Sequence, residues 1–224
     1  MAAQIAPSEQ SMQLQQQFMA SFETGAGGPI RRNILLHAVD VFSRKGYAGT
    51  KIKDIAASAG FSQGYVYGYY KSKEELFAKI VELATDGAGK SVSWAARLPG
   101  TPLQRLTWLT EAYLSPDSLA ARHWRLNLLL AAASEAIPEQ AIAIARQRRG
   151  EPFRHLIPLI VEGQQIGEII SEDPLMLAIT YFSTLQGLGL ARIQADEDEK
   201  TPFPSADVVL RFLSVRSQQS ESQH

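Results

Sequence analysis

From residue 30 onward the apolar positions follow a helical rather than an alternating rhythm. Ile30, Ile34, Leu35, Ala38, Val41 and Phe42 fall on one stripe of a 3.6-residue period. Arg44 and Lys45 put cations in the last turn, where the carbonyl ends of a helix attract them, and Gly46 supplies a stop. Thr50 is placed to cap a second helix carrying Ile52, Ile55, Ala56 and Ala59, which Gly60 closes. Ser62 is placed to cap a short third helix over 63–70. Ser72 opens a fourth, with Glu75 three residues on for a reciprocal capping box; Leu76, Phe77, Ile80, Val81 and Ala84 form its buried stripe. Further helices are predicted over 102–114, 117–133, 138–163, 174–193 and 205–215. Pro138 is expected at a first helical position, and Gly150 with Pro152 predicts either a kink near Arg148 or two shorter helices. No alternating run bounded by turn residues marks a strand. The expected fold class is all-α, with about nine helices.

Residues 1–29, rich in Gln, Ser and Gly, read as a flexible arm, although Leu14, Phe18 and Phe22 keep the i, i+4, i+8 spacing of a short transient helix over 8–23. They contain no Lys or Arg, and so lack the charged start of a secretory signal. The longest apolar run, 126–133, contains Asn127 and falls far short of the ~18–20 residues that span a bilayer. A cytoplasmic protein with no membrane partner is expected. The 224 residues include 45% hydrophobic and 20% charged ones, enough apolar material for a core.

Candidate chemistry is mostly excluded. The chain has no cysteine, which removes disulfide scaffolds, thiolate metal sites and thiol catalysis. Its four histidines are isolated, and the acidic run 196–199 lacks the spacing of a calcium loop. No metal and no cofactor is expected. A nucleophile elbow, a phosphate loop and a dinucleotide fingerprint are likewise missing, so an enzyme is not expected. The net charge of −1 conceals an asymmetry: residues 30–90 hold ten basic and six acidic side chains, the rest 12 and 17. A basic block of domain size beside an acidic one directs a polyanion to the first.

The informative stretch runs from Ile52 to Tyr70. Counting Ile52 as first, Ala56 is fifth, Gly60 ninth and Val66 fifteenth. Two helices crossing over a tight turn need a small residue at the crossing, a turn residue that tolerates the left-handed region, and an apolar anchor from the second helix. These three residues supply them, in the pattern of a helix-turn-helix that offers its second helix to the major groove of DNA.

The runs Gly46-Tyr47-Ala48-Gly49-Thr50, Asp54 to Gly64 and Tyr67 to Leu76 resemble the N-terminal DNA-binding domain of the TetR family of bacterial regulators. The resemblance covers about residues 30–78 and implies a three-helix DNA-binding domain there, followed over 79–217 by a larger helical domain for effector binding and dimerisation, with a disordered tail at 218–224. It implies a homodimeric repressor that binds a palindromic operator in double-stranded DNA and leaves it when a small molecule binds. Gln63 can pair with adenine through two hydrogen bonds, Tyr65 can meet a thymine methyl, and Gly64 allows close backbone approach. Thr50, Tyr67, Tyr69 and Lys73 match family positions that contact phosphate; Ser62 and Lys51 complete the candidate DNA-binding set, with Lys51, Lys53 and Lys71 giving unspecific attraction. Tyr70 is expected to pack inside. Gly68 departs from the larger residue usual there and predicts a soft recognition helix.

In the second domain the candidate ligand-binding residues are Trp108, Tyr113, His123, Trp124, Asn127, His155, Phe182 and Gln186, aromatic surface with scattered polar groups that suits a largely apolar small molecule. The candidate dimer interface is Leu177, Leu185, Leu188, Val209, Phe212 and Leu213, on the helices 174–193 and 205–215. An alternative reading is a DNA-bound adaptor whose second domain binds a protein without small-molecule control; a fully packed core there would favour it.

Overall fold

The computed structural model describes residues 8–115, 137–194 and 203–215. Ten helices occur among them: α1 (Glu9–Ala26), α2 (Pro29–Gly49), α3 (Ile52–Ser58), α4 (Gln63–Tyr69), α5 (Lys73–Ala95), α6 (Pro102–Leu114), α7 (Glu139–Arg148), α8 (Glu151–Gln165), α9 (Pro174–Gln194) and α10 (Ala206–Leu210). Helices α2, α3 and α4 make an N-terminal helix-turn-helix unit; α5 leaves it and packs against α6, α7 and α8 of the larger helical unit. The all-α expectation holds among the described residues, where the single pair of strand-like residues is the antiparallel bridge between Ile169 and Ser214.

The N-terminal stretch corrects the reading of a flexible arm. Residues 9–26 form a helix whose Leu14, Phe18 and Phe22 are buried in the common core. Ser8 caps it by accepting from the Ser11 N–H at 3.3 Å, and Gly27, with φ of +77°, ends it in the left-handed region. A Cβ at Gly87 of α5 would strike the Phe18 ring, so α5 lets α1 lie close because position 87 is glycine. Packing against α5, α6 and α2 orders a segment whose composition alone looks loose.

Several element ends also differ from expectation. The segment 138–163 is two helices, and the second of the two alternatives therefore applies: α7 closes at Arg149 and α8 starts at Glu151, with Pro152 in its first turn, where a missing N–H costs nothing. Pro138 is the N-cap of α7 rather than its first helical residue. The last predicted helix is shorter, because Leu213 and Val215 engage the loop before α9: Ile170 N–H donates to Leu213 O at 2.9 Å and Val215 N–H to Glu168 O at 3.1 Å. The Ser72 half of the predicted capping box forms, at 3.1 Å to Glu75 N–H, but the Glu75 carboxylate reaches back one residue further to Lys71 N–H at 2.6 Å. The predicted helix over 117–133 lies outside the described residues, as do the acidic run 196–199 and the tail 218–224.

Candidate nucleic-acid interface

The helix-turn-helix is built on a glycine turn. At the end of α3 the Phe61 N–H donates to Ala56 O at 2.9 Å and the Gly60 N–H to Ala57 O at 3.3 Å, with Gly60 at φ +73°. This is the paired hydrogen-bond pattern that ends a helix through a left-handed residue. Ala56 and Val66 are buried at the crossing, as their spacing requires. Ser62 then caps α4, accepting from Tyr65 N–H at 3.2 Å. With Val66 turned inward, Ser62, Gln63, Gly64, Tyr65 and Tyr67 are exposed on one side of the unit; Tyr65 keeps 42% of its surface and Tyr67 39%. Tyr70, by contrast, is buried.

The flanking candidates divide. Lys51 before α3, Lys53 on it and Lys71 after α4 are exposed. Thr50 is not the cap of α3: it is buried, and its hydroxyl donates to Gly46 O at 2.7 Å, closing the end of α2. Lys51 takes the cap position, and its N–H donates to the Asp54 carboxylate at 3.1 Å. That hydrogen bond, with Lys45 3.4 Å away, holds the Asp54 carboxyl below its ordinary range. Lys73 is half-buried; its ammonium donates to Tyr47 O at 3.0 Å and Thr50 O at 3.1 Å and lies 4.1 Å from the centre of the Tyr47 ring. Two of its three protons therefore tie α5 to the end of α2. Tyr47 donates to Glu74 at 2.7 Å; burial first and this hydrogen bond second push its phenol well above the usual value.

An aromatic row runs along α4 that no single motif marks. Phe61 and Tyr65 have ring centres 4.9 Å apart, Tyr65 and Tyr69 5.4 Å, and the hydroxyls of the last two are 3.3 Å apart. Arg31 of α2 brings its guanidinium 6.0 Å from the Tyr69 ring centre and 5.2 Å from that of Tyr70. The i, i+4, i+8 spacing of Phe61, Tyr65 and Tyr69 is visible in the sequence; the approach of Arg31, 38 positions before Tyr69, is not.

Residues 34–80 match the family model described as bacterial regulatory proteins, tetR family. The chain is similar to the HTH-type transcriptional regulator AcrR of Shigella flexneri, 30% identical over 119 residues, or 53% of this chain and 55% of that protein. Residues 34–80 therefore carry a TetR-family DNA-binding domain. It is also similar to the HTH-type transcriptional repressor DhaR of Mycobacterium sp. (strain GP1), 25% identical over 164 residues that cover 71% of this chain and 80% of the relative. The TetR fold extends beyond the matched segment: the TetR family transcriptional regulator PfmR from Thermus thermophilus superposes with a TM-score of 0.60 at 20% identity, covering 80% of this chain and 93% of that one. These relatives are transcriptional regulators, not enzymes. The alignment with AcrR spans 55% of that protein's length.

The larger helical unit redistributes the remaining candidates. Tyr113 and Phe182 are buried, Trp108 is half-buried, and Phe153 meets Phe182 edge-on with ring centres 5.2 Å apart. His155 and Gln186 are exposed on α8 and α9 and do not join them, a correction to the grouping expected from the sequence. His123, Trp124 and Asn127 lie outside the described residues. Among the described residues, buried hydroxyls of this domain pair with one another: Tyr113 hydrogen-bonds Ser91, and Tyr181 is 3.0 Å from Thr110. The dimer candidates also need correction. Leu177, Leu185, Val209 and Leu213 are buried in the chain's own core, and Leu188 and Phe212 pack half-buried against it. Among the described residues, the large apolar side chains that α9 and α10 leave exposed are Leu175, Met176, Ile179 and Val208.

Proposed function

We propose that this chain is a sequence-specific DNA-binding transcriptional regulator, acting as a homodimeric repressor that a small molecule releases from its operator. The observation that carries the reading is the outward face of α4, where Gln63, Gly64, Tyr65 and Tyr67 stand exposed over a buried Ala56–Val66 crossing. Gln63 offers the paired donor and acceptor that match adenine, and Tyr65 an apolar edge for a thymine methyl. Tyr67 and the remaining proton of Lys73 serve phosphates, while exposed Lys51, Lys53 and Lys71 add salt-sensitive attraction.

Dimerisation is assigned to the outward apolar side of α9 and α10, through Leu175, Met176, Ile179 and Val208, in place of the residues their own core absorbs. Exposed Gly187 and Ala191 allow close approach of a symmetric partner. The effector would enter among Trp108, Tyr113, Phe153 and Phe182, a surrounding that favours a largely apolar, uncharged molecule hydrogen-bonded by hydroxyls. It would act by population shift: a ligand that binds best when the two recognition helices are not ~34–36 Å apart lowers operator affinity by its differential affinity for the two states. Because its proposed target is operator DNA, this regulation is assigned to the cytoplasm. Selection of bound duplexes from a random pool, followed by competition with heparin at moderate salt, tests the reading. A consensus duplex should survive the competition; no preference for any duplex over heparin would refute it.

A further inference from the structure

We propose that Tyr69 determines specificity without touching DNA, by holding the hydroxyl of Tyr65 and so fixing the side chain that reads a base. This rests on the DNA-binding reading above and departs from the phosphate role that the position of Tyr69 suggests in the sequence. Tyr65 and Tyr69 lie one turn apart on α4, with ring planes 60° apart, centres 5.4 Å apart and hydroxyls 3.3 Å apart. On its other side Tyr65 meets Phe61, 4.9 Å away at 44°. An exposed tyrosine bracketed in this way has fewer rotamers to lose on entering the groove.

Tyr69 is itself anchored. It is half-buried where Tyr65 and Tyr67 are exposed, and the Arg31 guanidinium faces its ring from α2. The hydrogen bond with Tyr65 is also the first cause of the rise in its phenol pKa. The row Phe61, Tyr65, Tyr69, Arg31 therefore ties the reading residue to a neighbouring helix, a brace that matters because Gly68, in the last turn of α4, lowers the intrinsic stability of that short helix.

The test is a double-mutant cycle on the full-length protein, read as affinity for the selected operator and for duplexes changed one base pair at a time, with thermal unfolding as a control for folding. Tyr69→Phe, which keeps the ring, should reduce discrimination at one base pair by about three- to tenfold, leaving the other positions unaffected. In a Tyr65→Ala background the same change should do nothing further. A uniform loss over all duplexes that persists in that background would make Tyr69 a phosphate contact and overturn the proposal, as would no effect in either background. Absence of any preferred duplex for the unaltered protein would instead fell the DNA-binding reading itself.

Discussion

At the scale of single residues, the exposed Gln63 carries the clearest expectation. Replacing it with alanine should leave unfolding unchanged and cost ~1–3 kcal/mol of discrimination at one adenine-containing base pair, measured by affinity for single-substitution duplexes. A second expectation concerns Asp86 of α5. Burial alone would raise its carboxyl, but Lys90 at 2.6 Å and Arg148 of α7 at 2.9 Å outweigh it and hold it below the ordinary 3.8. A carboxyl depressed on folding stabilises at pH above 3.8 and loses that contribution as pH falls through its lower folded value. Asp86→Asn should therefore lower the unfolding temperature at pH 7, and its gap from the unaltered protein should close in strongly acidic solution. Arg148 also shows what one dimension hides: the Asp86 carboxylate to which it donates a hydrogen bond lies 62 positions away in the sequence.

At the scale of elements, α3 and α4 were legible because their requirements are local. Ala56, Gly60 and Val66 must sit at fixed intervals for two helices to cross, so the spacing alone locates the turn. Two glycines there should respond to alanine in opposite ways. At Gly60 a Cβ meets nothing within 4 Å, yet φ is +73°, so Gly60→Ala should cost ~1–2 kcal/mol through backbone strain. At Gly68 the space is also open and the backbone helical, so Gly68→Ala should gain ~1 kcal/mol. Denaturant unfolding of the two variants measures both. Where an element depends on distant partners, the pattern was insufficient. Helix α9 is apolar on both sides, Leu177 and Tyr181 inward and Met176 and Ile179 outward, and periodicity cannot say which side the chain's own core takes.

At the scale of the whole molecule, α1 is the element that composition concealed. Its glutamines suggest an arm, but Leu14, Phe18 and Phe22 fill a groove along α5 and α6, and Arg32 of α2 pairs with Glu23 at 2.6 Å. The larger helical unit and the helix-turn-helix unit are thus joined by two helices, α1 and the 23-residue α5, which is about 34 Å long. Phe18→Ala should destabilise the protein by ~3–5 kcal/mol, a cost measurable by denaturant unfolding and far above that of an arm residue.

The central claim is that α4 reads base edges from the major groove. Its most direct test replaces each adenine of the selected operator in turn with 7-deazaadenine, which keeps Watson–Crick pairing but removes the major-groove N7 acceptor. The expected result is a loss of affinity at one or two symmetric positions, abolished when Gln63 is alanine. Equal affinity for every substituted duplex, or the same losses with and without the Gln63 side chain, would contradict the account.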